Sequence, residues 1–234
     1  MFKEFIEKIV ELKKPEQIKV DEKTYYDKSY YPAFEKFPDH LSINNLTGIV
    51  DFVKEAPEPW VDMFVHVEDF NRVNLYKSMA GDFNQRTLVL IGSSRKCKFS
   101  FGSQLSIEQF IIALNGMFIQ SEDRDYLLKF VSGIRIDANA KVEDDGITQT
   151  VTARKGASSL LSDTPIKNIV ELQPFRTFNE VDQPVSKFVF RLKLENDLPY
   201  CALYECDGEA WKQKAIQNIK AFFESQEISI PVIA

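Results

Sequence analysis

Apolar residues fall into helical rhythm at the start of the chain. Phe2, Phe5, Ile6, Ile9 and Val10 recur at i, i+3, i+4, i+7 and i+8, with Lys and Glu between them. This predicts an amphipathic helix over 2–13, ended by Pro15. Residues 17–31, QIKVDEKTYYDKSYY, read as a strand and an aromatic loop. A second helix is predicted over 42–55, with Leu46, Ile49, Val50 and Val53 on one face and Ser42 as its cap. Apolar and β-branched runs at 60–67, 71–77, 86–92 and 96–101 predict four strands, and AGDFNQ is a turn between two of them. Helical rhythm returns at 106–120, where Ser106 and Gln109 have capping-box spacing, and at 121–133, which has acids in its first turn and Gly133 at its end.

Beyond residue 133 the pattern turns to alternation. IRIDANAKVE, ITQTVTARK and SKFVFRLKLE alternate strictly, and PYCALYE less so. A last amphipathic helix over 208–225 puts Trp211, Ala215, Ile216, Ile219, Phe222 and Phe223 on one face, and ISIPVIA follows it as a closing strand. Helix, strands, two helices, strands and helix in that order predict an α+β fold: antiparallel β-sheets with hairpins, packed against amphipathic helices. The expectation is one domain over 1–234, with a subdivision near residue 134 as the variant.

The most patterned stretch is KVEDDGITQTVTARKG, residues 141–156. Asp145-Gly146 suits a two-residue type I′ turn. That turn would set Glu143 opposite Thr148, Lys141 opposite Thr150 and Asp137 opposite Arg154. Ile134, Ile136, Ala138, Ala140 and Val142 then share an apolar face with Val151 and Ala153. The chemical alternative is a metal site on Asp144 and Asp145, but two adjacent carboxylates make a poor cage.

Composition narrows the function. The chain has 234 residues, a formal charge of −6, three Cys, two His and 19 Phe. An acidic chain has no broad basic field for duplex nucleic acid, so any such contact needs a local patch. Few and odd cysteines read as reduced cytosolic thiols. His40 and His66 cannot make a multi-His site alone, and Cys201 and Cys206 lack zinc-knuckle spacing. IGSSRK lacks the phosphate-loop spacing, and SFGSQ lacks that of a nucleophile elbow. No catalytic, metal or cofactor residues are therefore assigned, and no membrane span is expected. The abundance of Phe predicts a large aromatic core or an apolar interface.

Two longer stretches, VELQPFRTFNEVDQPVSKFVFRLK (170–193) and CALYECDGEAWKQKAIQNIKAFF (201–223), precede the closing IPVIA. With EDDGITQTVTARKG and LTGIVDFV, over roughly residues 40–234, they resemble an uncharacterised family encoded in bacteriophages and prophages, typified by YfdQ. The resemblance implies a protein made in the cytoplasm of a bacterial host, and it carries no catalytic residues. Read from its residues, the first stretch holds a strand buried through Phe188, Phe190 and Leu192. Phe175 and Phe178 are expected to enter the core on either side of a turn, and Asp182-Gln183-Pro184 to bend the chain. RTFNEVDQP reads as a structural connection ahead of a recognition loop.

The function expected is non-enzymatic: a homo-oligomer or partner-binding protein. Its contacts are expected at Phe2, Phe5, Ile6 and Ile9 of the first helix, or at Ile230, Val232 and Ile233 of the closing strand. The second reading is a single-stranded nucleic-acid-binding protein of phage replication or recombination. It would use Arg95, Lys96 and Lys98 interleaved with Phe99 and Phe101, or Arg154 and Lys155. A third is a counter-defence binder of a host signalling molecule.

Overall fold

The apolar rhythm at the start of the chain winds residues 2–12 into α1 (Phe2–Leu12). The structure is a computed structural model that describes residues 2–12, 17–20, 23–26, 39–55, 62–80, 85–94, 99–134, 141–144, 149–153, 162–196 and 198–234. The chain divides into two compact units, 1–39 and 40–234. In the first unit α1 is followed by an antiparallel hairpin, β1 (Gln17–Val20) with β2 (Lys23–Tyr26).

Among the described residues the second unit carries three sheets. The five-stranded one runs β14-β4-β5-β6-β3, built from β3 (Leu41–Ile43), β4 (Met63–Asp69), β5 (Arg72–Ala80), β6 (Gln85–Ser93) and β14 (Val232–Ile233). Its three central strands are antiparallel, and the short edges β3 and β14 join in parallel. The four-stranded sheet is antiparallel throughout: β11 (Ile169–Leu172), β12 (Ser186–Glu195), β13 (Leu198–Glu205), β7 (Leu105–Ser106). A third sheet joins β8 (Lys141–Asp144), β9 (Gln149–Ala153) and β10 (Ser162–Pro165) in the order β10-β9-β8.

Each large sheet buries one face under helices. Alternation in β12 sends Phe188, Phe190 and Leu192 into a core with Phe110 and Leu114 of α3 (Ile107–Met117) and Leu127 and Val131 of α4 (Glu122–Ser132). Val65, Val67, Val73, Leu75 and Leu90 meet Ile49 and Val50 of α2 (Thr47–Glu55) and Ile219 and Phe223 of α5 (Ala210–Ser225). The many Phe fill these cores. Phe99 meets Phe118 edge-on at 5.1 Å, and Phe101 stacks on Phe188 at 5.0 Å. Ser106 and Gln109 form the capping box at the start of α3, and Ser121 and Gly133 cap α4.

Four expectations need correction. Ser42 lies in β3, because Leu41–Ile43 pair with Leu90–Gly92; α2 starts at Thr47, where Asn45 Oδ1 accepts the Gly48 N–H at 3.1 Å. Residues 99–101 are not a strand. Phe99 and Phe101 enter the core singly around a turn at Gly102 (φ 77°), whose N–H donates to the Leu203 carbonyl at 2.7 Å. Phe175 stays 39% exposed while Phe178 is buried.

The hairpin also departs from its expected register. Glu143 faces Thr150 and Asp144 faces Gln149, two residues away from the register that a two-residue turn at Asp145-Gly146 would impose. The connection spans 145–148, outside the described residues, as is the expected Asp137–Arg154 pairing. β9 is held on its other side by β10, with Thr152 opposite Asp163, so the sheet and not the turn alone fixes the register.

Candidate functional site

The first candidate contact segment, α1, has its apolar stripe in the open. Phe5 is 63% exposed, Ile6 47% and Ile9 41%. The Phe2 side chain lies outside the described residues. A helix held only by its own hydrogen bonds is marginal at this length, and an amphipathic face normally gains its stability by packing.

The closing segment is already occupied. β14 pairs in parallel with β4, Val232 opposite Val65 and Ile233 opposite His66, and the Val65 N–H donates to the Pro231 carbonyl at 2.9 Å. Ile230 and Val232 pack against the second core of their own unit, and only Ile233 stays more than half exposed. Ile230 and Val232 are thus half-buried on their own unit. Pro231 brings no N–H to a ladder, which suits this edge position. The basic candidates Arg95, Lys96, Lys98, Arg154 and Lys155 lie outside the described residues.

RTFNEVDQP is a structural connection with a polar centre. Gln183 is buried and uses its whole amide. Its Oε1 accepts from the Arg176 and Thr177 N–H groups at 2.9 and 3.1 Å, and its Nε2 donates to the Phe178 and Val181 carbonyls at 2.8 and 3.2 Å. The side chain thus replaces the backbone partners that an irregular buried segment lacks. Thr177 Oγ1 donates to the Phe70 carbonyl, which ties the connection to the five-stranded sheet.

Arg176 sits beside this knot, 6% exposed. Its guanidinium pairs with Glu205, donates to Ser186 Oγ and lies over the Trp211 ring, with Phe101 and Phe188 each 5.6 Å away. Glu205 and the three rings offset its charge, so the arrangement holds the two cores together and offers no cation to a ligand. Sequence reading missed it because its members come from separate elements. RTFNEVDQP is polar along most of its length, so nothing local singles out Arg176 and Gln183.

A shallow cleft of about 420 Å³ runs beside β11, lined by Asp123, Lys167, Ile169, Glu171, Val185 and their neighbours. Asp123 is engaged there: it pairs with Lys167 Nζ at 2.5 Å and accepts the Glu171 N–H at 2.7 Å. It therefore closes a sheet edge. Burial pushes the Cys201 thiol up to about 12. Cys206 is also raised, by burial first and Asp207 second, with Lys187 opposing. Cys97 lies outside the described residues. Among the described residues no group of His, Cys, Asp and Glu could hold a metal ion, and no helix is long and apolar enough to cross a membrane. No family model matches the chain, and neither a curated protein nor a solved structure matches it.

Proposed function

We propose that this is a non-enzymatic, self-assembling protein of phage origin, whose copies meet through the apolar stripe of α1. The phage origin rests on the family resemblance. The observation that supports assembly is the exposure of Phe5, Ile6 and Ile9 together on one helix. Burying a large apolar side chain is worth about 1.5–3 kcal/mol. These side chains are about half exposed, so a two-fold pair of helices that covers all six gains on the order of 5–9 kcal/mol, against a rigid-body cost of about 4–15 kcal/mol. The two are of similar size, so assembly through α1 depends on concentration.

Light scattering on the full chain tests this. A mass above the 27.0 kDa of one chain that rises with concentration is expected, with collapse to one chain in a Phe5→Glu/Ile9→Glu variant. A full chain that stays monomeric, or an oligomer indifferent to both charges, overturns the reading.

A further inference from the structure

The five-stranded sheet has a second face with its own chemistry. Met63, Val65, Val67, Val73 and Leu75 point to the core, so alternation turns Phe64 and His66 of β4 and Asn74 and Tyr76 of β5 to the other side. A register shift between Leu75 and Tyr76 sets Tyr76 opposite Leu88, and brings Arg86 of β6 onto that side too. Phe64 and Tyr76 stack at 5.5 Å with 22° between their planes. Arg86 is exposed and lies over both rings, 5.0 Å from the Phe64 centroid and 5.8 Å from that of Tyr76. His66 lies 6.3 Å from Tyr76.

The charges on this face are unequally spent. Glu68 is engaged by Arg72 at 3.1 Å and by Asn74 Nδ2 at 2.5 Å. Among the described residues no carboxylate pairs with Arg86.

We propose that this face binds single-stranded nucleic acid, with Arg86 and the Phe64–Tyr76 pair as its stacking platform. A guanidinium resting on aromatic rings presents its outer side to an unstacked base, while its N–H groups reach a phosphate. The chain carries −6 and has no wide basic field, so the energy must come from stacking more than from counterion release. Duplex bases are stacked internally and cannot use such a platform, which selects the single strand. The reading is independent of the α1 stripe, which lies in the other unit.

The test is fluorescence anisotropy of a labelled oligothymidine of about 20 nucleotides, with a duplex of equal length as control and salt as the variable. The full chain should bind the single strand in preference to the duplex. Arg86→Gln should weaken binding by roughly 5- to 150-fold, the range that one lost stacking contact spans. Arg86→Lys should keep the salt dependence and stay weakened, because it restores charge without a plane. Tyr76→Leu should weaken binding as well; should it fail to fold, the exposed Arg86 variants decide. No binding at tens of micromolar, equal binding of the duplex, or an Arg86→Gln variant that binds like the parent overturns the proposal. A mass that falls in Arg86→Gln while oligonucleotide binding persists also overturns it, and assigns the face to a second copy.

Discussion

The guanidinium carbon of Arg176 lies 3.8 Å from the centre of the Trp211 ring. One residue comes from an irregular connection and the other from the first turn of α5, so this contact joins segments that no local pattern links. Arg176→Ala should strip Glu205 of its cation and leave a void over the ring. A loss of about 2–4 kcal/mol is expected, below the ceiling for a broken buried pair because Glu205 is partly exposed and can rehydrate. Denaturant midpoints measure it, and Arg176→Lys should recover little, since it lacks the planar fork. A loss under about 0.5 kcal/mol would contradict the assignment.

Gln183 makes a sharper case, because its contribution is polar and not volumetric. Gln183→Met keeps much of the bulk and strands two N–H groups and two carbonyls. It should cost about 2–4 kcal/mol. If Gln183→Met unfolds at the parent's denaturant concentration, the connection does not depend on those four bonds.

Gly92 is packed against α2. A Cβ built there would sit 2.9 Å from Ile49 Cδ1. Gly92→Ala should therefore cost about 1–3 kcal/mol. Ile49→Val removes the offending methyl, so the double variant should be more stable than the sum of the singles by at least about 0.5 kcal/mol. Strict additivity in the unfolding free energies would show that the methyl is not the obstacle.

The Cys201 thiol gives a pH signature. Its ordinary value of 9.0 is raised to about 12 in the fold, so the unfolded chain loses that proton first. Its contribution is intact below about pH 9 and falls by up to ~1.4 kcal/mol per pH unit between about 9 and 12. The difference in unfolding free energy between the parent and Cys201→Ala should therefore shrink from about pH 8 to about pH 10. A constant difference would mean that Cys201 is not shielded.

Long periodic segments were legible in the sequence. The faces of α5 and β12 and the caps of α3 and α4 follow from spacing, because burial acts on each at a fixed period. What spacing hides is partnership. Leu41–Ile43 looks like a helix start until β6 offers it a ladder, and the β8–β9 pair belongs to a sheet whose third strand, β10, no turn signal announces. The candidate contacts divided the same way. The stripe of α1 was readable as a stripe, but whether ISIPVIA needed another chain depended on the free edge of β4, some 170 residues earlier. Phe64, Tyr76 and Arg86 were hidden within runs that read simply as apolar strands, and only the register brings them together.

The parallel pairing of Val232 with Val65 also puts a clock on synthesis. At about 5–20 residues per second, ribosomes deliver the first of these residues on the order of ten seconds or more before the second. Throughout that interval β4 has a bare margin, the kind of edge that neighbouring nascent chains on one message could pair with. A chaperone that dwells on residues 63–69 until the last strand emerges would shorten that exposure, and a ribosome stall between α5 and β14 would prolong it.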